Sequence, residues 1–131
     1  MINQNINLAG LLQTISALRG QQGCPWDRKQ TCASLKKYLQ SECTELLEAI
    51  DKNDHKNICE ELGDVLYVLI MISEINNDLG LFSLDEVIES INKKLIRRHP
   101  HVFAGTTYEN DEQLAAQWQA IKALEKKENS I

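Results

Sequence analysis

The chain has 131 residues, enough for one domain with a buried core of useful size, and its 43% hydrophobic and 25% charged residues are ordinary for a soluble globular protein. A net charge of −5 argues against a partner such as nucleic-acid backbone, which is gripped by clustered Lys and Arg; a free nucleotide needs only a local basic patch, and metal ions can supply the rest. The longest apolar run, Val65 to Ile72, is far short of the ~20 residues that span a bilayer, and no signal-peptide pattern opens the chain, so a cytoplasmic protein that avoids membranes is expected.

The periodicity is helical nearly throughout. A first helix is predicted from about Asn7 to Arg19, with Leu8, Leu11, Leu12, Ile15 and Leu18 on one face and Gly20 and Gly23 ending it. The breakers in Gly23-Cys24-Pro25-Trp26-Asp27 predict a loop, with Trp26 read as packing. A second helix runs from near Thr31 to about Asp51 on the stripe Leu35, Leu39, Leu46, Ala49 and Ile50, and Glu42 interrupts that stripe. The third, roughly Lys56 to Asn77, is apolar on nearly every side from Val65 to Ile72, as a helix at the centre of a bundle would be.

Ser83-Leu84-Asp85-Glu86 has the form of a capping box, opening a fourth helix that reaches Arg98 before Pro100. A last amphipathic helix spans about Asp111 to Lys127, with Leu114, Trp118 and Ile121 on one face. The expected fold is therefore an all-α bundle of about five helices. Cysteines 24, 32, 43 and 59 form neither a Cys-x-x-Cys pair nor a zinc-finger spacing and are read as reduced thiols.

Two acidic pairs carry the candidate chemistry. Glu42-x-x-Glu45 and Glu61-x-x-Asp64 each place two carboxylates on one helix face, and both faces continue into apolar residues, so both pairs are expected to point inward. Buried carboxylates are costly and four together would repel; divalent cations resolve the conflict, and all-oxygen ligands suit Mg²⁺ or Mn²⁺. The competing reading is a solvated charged face. Lys94, Arg97 and Arg98 end the fourth helix, where cations suit the helix dipole; the functional reading is a clamp for phosphate oxygens. Trp118, on an apolar stripe, reads from its position as a core aromatic.

In this order, Gly23-Cys24-Pro25-Trp26-Asp27, Glu42-x-x-Glu45, Glu61-Leu62-Gly63-Asp64 and Lys94-x-x-Arg97-Arg98-His99-Pro100-His101-Val102-Phe103 resemble the MazG-type nucleoside triphosphate pyrophosphohydrolases. The closing Trp118-Gln119-Ala120-Ile121-Lys122, with Glu125-Lys126, is also similar, and the resemblance covers roughly residues 8 to 127. It implies a single MazG-like helical domain over residues 1–131, with its bundle completed in a homodimer or higher homo-oligomer. It further implies Mg²⁺, or Mn²⁺, on Glu42, Glu45, Glu61 and Asp64, which would be both metal ligands and catalytic residues. Lys94, Arg97, Arg98 and Trp118 would bind the substrate, and His99 and His101 are read as structural. The implied reaction converts a nucleoside triphosphate and water to the monophosphate and pyrophosphate, in nucleotide-pool cleaning or control of a signalling nucleotide.

One position departs from the family pattern. Where Glu-Glu-x-x-Glu is usual, this chain has Ser41-Glu42-x-x-Glu45, and a serine hydroxyl can hold a water but is no base near neutral pH. The first rival reading is thus a catalytically weak nucleotide-binding or oligomerisation module. An iron-carboxylate oxidase is set aside because such bundles use Glu-x-x-His, and neither acidic pair ends in His.

Overall fold

A computed structural model of the chain describes residues 7–129, so the outermost ends of the expected 1–131 domain lie outside the described residues. Seven helices occur among the described residues: α1 (Leu8–Leu18), α2 (Pro25–Lys29), α3 (Cys32–Asp51), α4 (His55–Asp78), α5 (Leu84–Arg98), α6 (Pro100–Phe103) and α7 (Asp111–Asn129). The fold is all-α, as expected. The two helices beyond the expected five are the short α2 and α6, each opened by a proline. At the first helical position proline's fixed φ favours the turn and its missing N–H costs nothing, so Pro25 starts a helix in the segment predicted as a loop.

The described residues divide into two compact units, 7–84 and 85–129. In the first, α3 packs along α4, and α1 lies against α4 as well. Local chemistry sets the helix starts. Asn7 and Asp54 accept from the backbone N–H groups of Gly10 and Asn57, and Thr31 and Ser34 cap α3 reciprocally. The core consists of Ile15, Leu35, Val68, Ile70, Met71 and Ile75, with Trp26, Leu39 and Tyr67 packed around it. Each such apolar side chain stabilises the fold by about 1.5–3 kcal/mol when fully buried. Trp26 also meets Tyr38 edge to face at 5.1 Å.

A polar strut runs through this unit. Asp27 and Gln30 are buried. The Arg19 guanidinium donates to the Asp27 carbonyl at 2.6 Å, Gln30 Nε2 donates to the Trp26 carbonyl, and the Tyr67 hydroxyl donates to the Asp27 carboxylate. Burial, and then the Asp27 carboxylate, push the Tyr67 phenol well above its usual range. The strut ties α2 to the middle of α4. Gly23 makes the preceding turn possible, since a Cβ there would collide with the Leu18 and Ala17 carbonyls.

Helix α4 is not buried on every side: Leu62, Leu66 and Leu69 are exposed, as is Ile50 on α3. Only the face of α4 turned toward α1 and α3 is covered within this unit, so the all-round apolar pattern of 65–72 leaves a second face in the open. In the second unit, α5 ends at Arg98, His99 Nδ1 lies 2.5 Å from the Leu95 carbonyl, and α6 begins at Pro100. His101 stacks edge to face on Tyr108. No described helix is long and apolar enough to cross a membrane.

Candidate active site

Glu42 and Glu45 lie on α3, and Glu61 and Asp64 on α4, the two helices that pack most extensively in the first unit. The i, i+3 spacing turns each pair onto one helix face. The packing brings one carboxylate oxygen from each of Glu42, Glu45 and Glu61 within 4.8 Å of one another. Asp64 is not in that group, although its charge is felt by both Glu42 and Glu61. Burial differs along the pairs. Glu61 is 8% exposed and Glu42 half-buried, whereas Glu45 and Asp64 are exposed, so the pairs straddle the rim of the helix interface and do not both point inward.

The cluster is electrostatically strained. Burial first, then the charges of Glu45, Asp64 and Glu42, push the Glu61 carboxyl up to about 7, and burial, then Glu45 and Asp64, raise Glu42. Oε2 of Glu42 and Oε2 of Glu61 are buried without a hydrogen-bond partner. An orphaned carboxylate oxygen is costly, and two in one acidic group are what a hard divalent cation would satisfy. The donor set is all oxygen and fits a metal ion. Ser41, one residue before Glu42, is exposed on α3.

The basic residues belong to the second unit. Lys94 and Arg98 are half-buried on α5, and Arg97 is exposed. Arg97 and Arg98 both engage Glu125 of α7. The Arg97 Nε donates to Oε1 at 2.7 Å; the Arg98 Nε and Nη2 donate to Oε2 at 3.2 and 2.9 Å. Hydrogen bonds from Arg98 and then Arg97 hold the Glu125 carboxyl down at about 2. Trp118, 41% exposed, borders a cavity of about 310 Å³ with Arg98, His99, His101 and Leu114, and Lys122 Nζ sits 4.7 Å from the centre of its ring.

Glu125 is the residue that sequence reasoning left without a role. Its signal was present: it falls four residues after Ile121, on the line of Leu114, Trp118 and Ile121, so it interrupts the stripe of α7 as Glu42 interrupts that of α3.

The chain is similar to several known proteins. The chain is 49% identical over 112 residues to the uncharacterized protein YabN of Bacillus subtilis, covering 86% of this chain and 23% of that one. It is 47% identical over 119 residues to the nucleoside triphosphate pyrophosphohydrolase/pyrophosphatase MazG of Thermotoga maritima, covering 88% of this chain and 44% of the relative. The chain thus spans less than half the length of either relative. A crystal structure of a mazG-related protein from Thermotoga maritima superposes with a TM-score of 0.74 at 29% identity, over 88% of this chain and 99% of that one. The model of the MazG nucleotide pyrophosphohydrolase domain matches residues 30–103, which carry both acidic pairs and the basic end of α5; by that match the chain belongs to the MazG family.

Proposed function

We propose that this chain hydrolyses nucleoside triphosphates to the monophosphate and pyrophosphate with Mg²⁺, or Mn²⁺, held by Glu42, Glu45, Glu61 and Asp64. The observation that carries the reading is the group of three close glutamates with two buried, unpartnered oxygens, in a chain of this family. Such a site is unfavourable in itself and becomes favourable on binding a cation. The chemistry that Mg²⁺ supplies when bound is charge neutralisation and Lewis-acid polarisation at the triphosphate.

The remaining roles fall to the chain's own side chains. Lys94, Arg97 and Arg98 bind phosphate oxygens, where charge-assisted and forked contacts favour the more highly charged ligand. Trp118 offers an aromatic face to the base. In the reaction a water oxygen forms a bond to the α-phosphorus and gives up its proton to solvent, the bond from that phosphorus to the bridging oxygen breaks, and pyrophosphate leaves with its charge balanced by Lys94, Arg97 and Arg98. The Ser41 hydroxyl can orient the water but cannot take its proton near neutral pH.

The family match spans the boundary between the two compact units, which supports reading residues 1–131 as one functional domain. A homodimer or higher homo-oligomer is supported by the exposed Leu47, Leu62, Leu66 and Leu69, an apolar face that a second copy would bury. The four cysteines are free, as suits the cytoplasm, and nucleotide-pool cleaning or control of a signalling nucleotide is the role such a reaction would serve. A second reading, a catalytically weak nucleotide-binding or oligomerisation module, rests on Ser41.

Pyrophosphate release with Mg²⁺ across the eight common ribo- and deoxyribonucleoside triphosphates tests the proposal. Release that disappears in Glu61→Gln supports it. Nucleotide binding with no release from any of the eight would leave the module reading in its place.

A further inference from the structure

Arg98 stands between two cavities of the second unit. One, about 310 Å³, is walled by Trp118, Leu114, Ala115, His99, His101 and Asp111. The other, about 490 Å³, is lined by Lys122, Lys126 and Glu125. Arg98 lines both, and Glu125 lines only the second. The guanidinium meets Glu125 through its side edge, Nε and Nη2, at 3.2 and 2.9 Å from Oε2. Among the described residues, its Nη1 takes no partner. A guanidinium has two such forks, and engaging the side one leaves the end fork of Nη1 and the second Nη2 hydrogen for a planar or tetrahedral oxyanion.

We propose that Glu125 is a positioning residue, which grips Arg98 from the side of the second cavity and aims its end fork at a phosphate group in the Trp118 cavity. The proposal rests on the reading of Arg98 as a phosphate clamp and adds the residue that orients it. A long arginine otherwise loses side-chain entropy when it takes hold of a ligand; one already fixed has little left to lose. The grip is well suited to this. The Arg98 and Glu125 side chains are 19% and 14% exposed, so the pair is largely shielded from solvent screening. Oε1 of the same carboxylate takes the Arg97 Nε at 2.7 Å, so one glutamate orders two consecutive arginines whose side chains leave α5 about 100° apart.

A glutamate that merely docks α7 on α5 would make the same ion pairs, so the test has to separate the roles. Binding of inorganic triphosphate, without metal, is measured by calorimetry for the parent chain, Glu125→Gln, Arg98→Ala and the double variant, with adenosine as the uncharged control and far-UV circular dichroism as the check on folding. The expected result is that Glu125→Gln weakens inorganic triphosphate by roughly 10-fold and changes adenosine by less than about twofold, while in the Arg98→Ala background the same substitution changes triphosphate by less than about twofold. Equal losses in both backgrounds, or for both ligands, would overturn the positioning role and leave helix docking. Tighter triphosphate binding in Glu125→Gln would overturn it too, by showing that Glu125 competes with the ligand. If Arg98→Ala itself binds triphosphate like the parent, the clamp reading fails, a result distinct from failure of the Glu125 coupling alone. Should Glu125→Gln not fold, Glu125→Asp is carried through the same cycle; it keeps the charge but is too short to serve both arginines, and the same coupling with Arg98 is expected.

Discussion

On α3 and α4 three glutamates face one another, and no salt bridge among the described residues reaches any of them; on α5 and α7 two arginines meet one glutamate at hydrogen-bonding distance. The carboxyls respond in opposite directions. Glu61 is pushed up to about 7 by burial and like charge, and Glu125 is held at about 2 by its two guanidinium partners. A like-charged group with orphaned oxygens is incomplete until a cation arrives from outside the chain. An ion-paired group is already complete, and its use is to hold a side chain in place. The acidic region is therefore where ligand binding should change stability most, and the basic region is where the geometry exists beforehand.

The widest break in that comparison comes from neutralising the acidic side. Glu42→Gln, Glu45→Gln, Glu61→Gln and Asp64→Asn should each lower Mg²⁺ binding and pyrophosphate release by ~100-fold or more, beyond the ~10–100-fold that changes around a metal's direct ligands usually cost. Calorimetry with Mg²⁺ and a release assay measure both. Variants that bind metal as well as the parent would show that the four carboxylates are a solvated face.

Adding to the acidic side is the next largest change. Ser41→Glu places a carboxylate about a third of a turn from Glu42, where it can accept a proton from the attacking water. A rise in kcat of roughly 10- to 100-fold with little change in KM is expected. A parent that is already fast, with the variant no faster, would make Ser41 a tolerated substitution. An inert parent and an inert variant that still bind nucleotide would end the enzyme reading.

On the basic side, Lys94→Ala and Arg98→Ala should each weaken triphosphate affinity by roughly 10-fold, less for the monophosphate and least for the nucleoside, since what is lost is charge-assisted contact with phosphate. Equal losses for the three ligands would return these residues to the helix-dipole role.

The smallest effect sharpens the contrast through pH. Glu61 has its folded-state pKa raised above the unfolded value, so the folded, metal-free protein binds the extra proton between about 4.5 and about 7. Its favourable contribution is complete below that window and is lost as pH rises through it. Metal-free protein should therefore melt at a lower temperature at pH 7.5 than at pH 5, and Glu61→Gln should flatten that slope. Glu125 has the opposite sign, contributing above about 4.5 and losing its contribution as pH falls toward about 2. Thermal melts across pH with a chelator present measure both, and a Glu61→Gln profile that tracks the parent would remove the strain assigned to Glu61.

Much of the helical content was readable, because apolar spacing at 3.6 residues and local caps act within a few residues of each other. Asn7, Thr31 and Asp54 cap helices in the structure, at the starts that the periodicity marks to within a residue or two. The Cys-Pro-Trp segment was misread as a loop because proline ends a helix from within but begins one at its first position, and only the flanking conformation distinguishes the cases. The candidate ligands were legible as types and spacings. Their unequal burial was not, since a helical stripe says which residues share a face but not how far along the helix a neighbour covers it.

Periodicity and motif order were enough to establish that the chain is helical, which residues share each helix face, and that its ordered motifs are those of the MazG family. It took the packing of helix on helix to bury Glu61 while leaving Asp64 exposed, to tie Asp27 to Tyr67 forty residues away, and to set Glu125 against Arg97 and Arg98. The two kinds of information differ in range. Helix periodicity and capping are local and written in adjacent residues, whereas burial and ion pairing between helices depend on which faces meet, and that is fixed by packing of the whole chain.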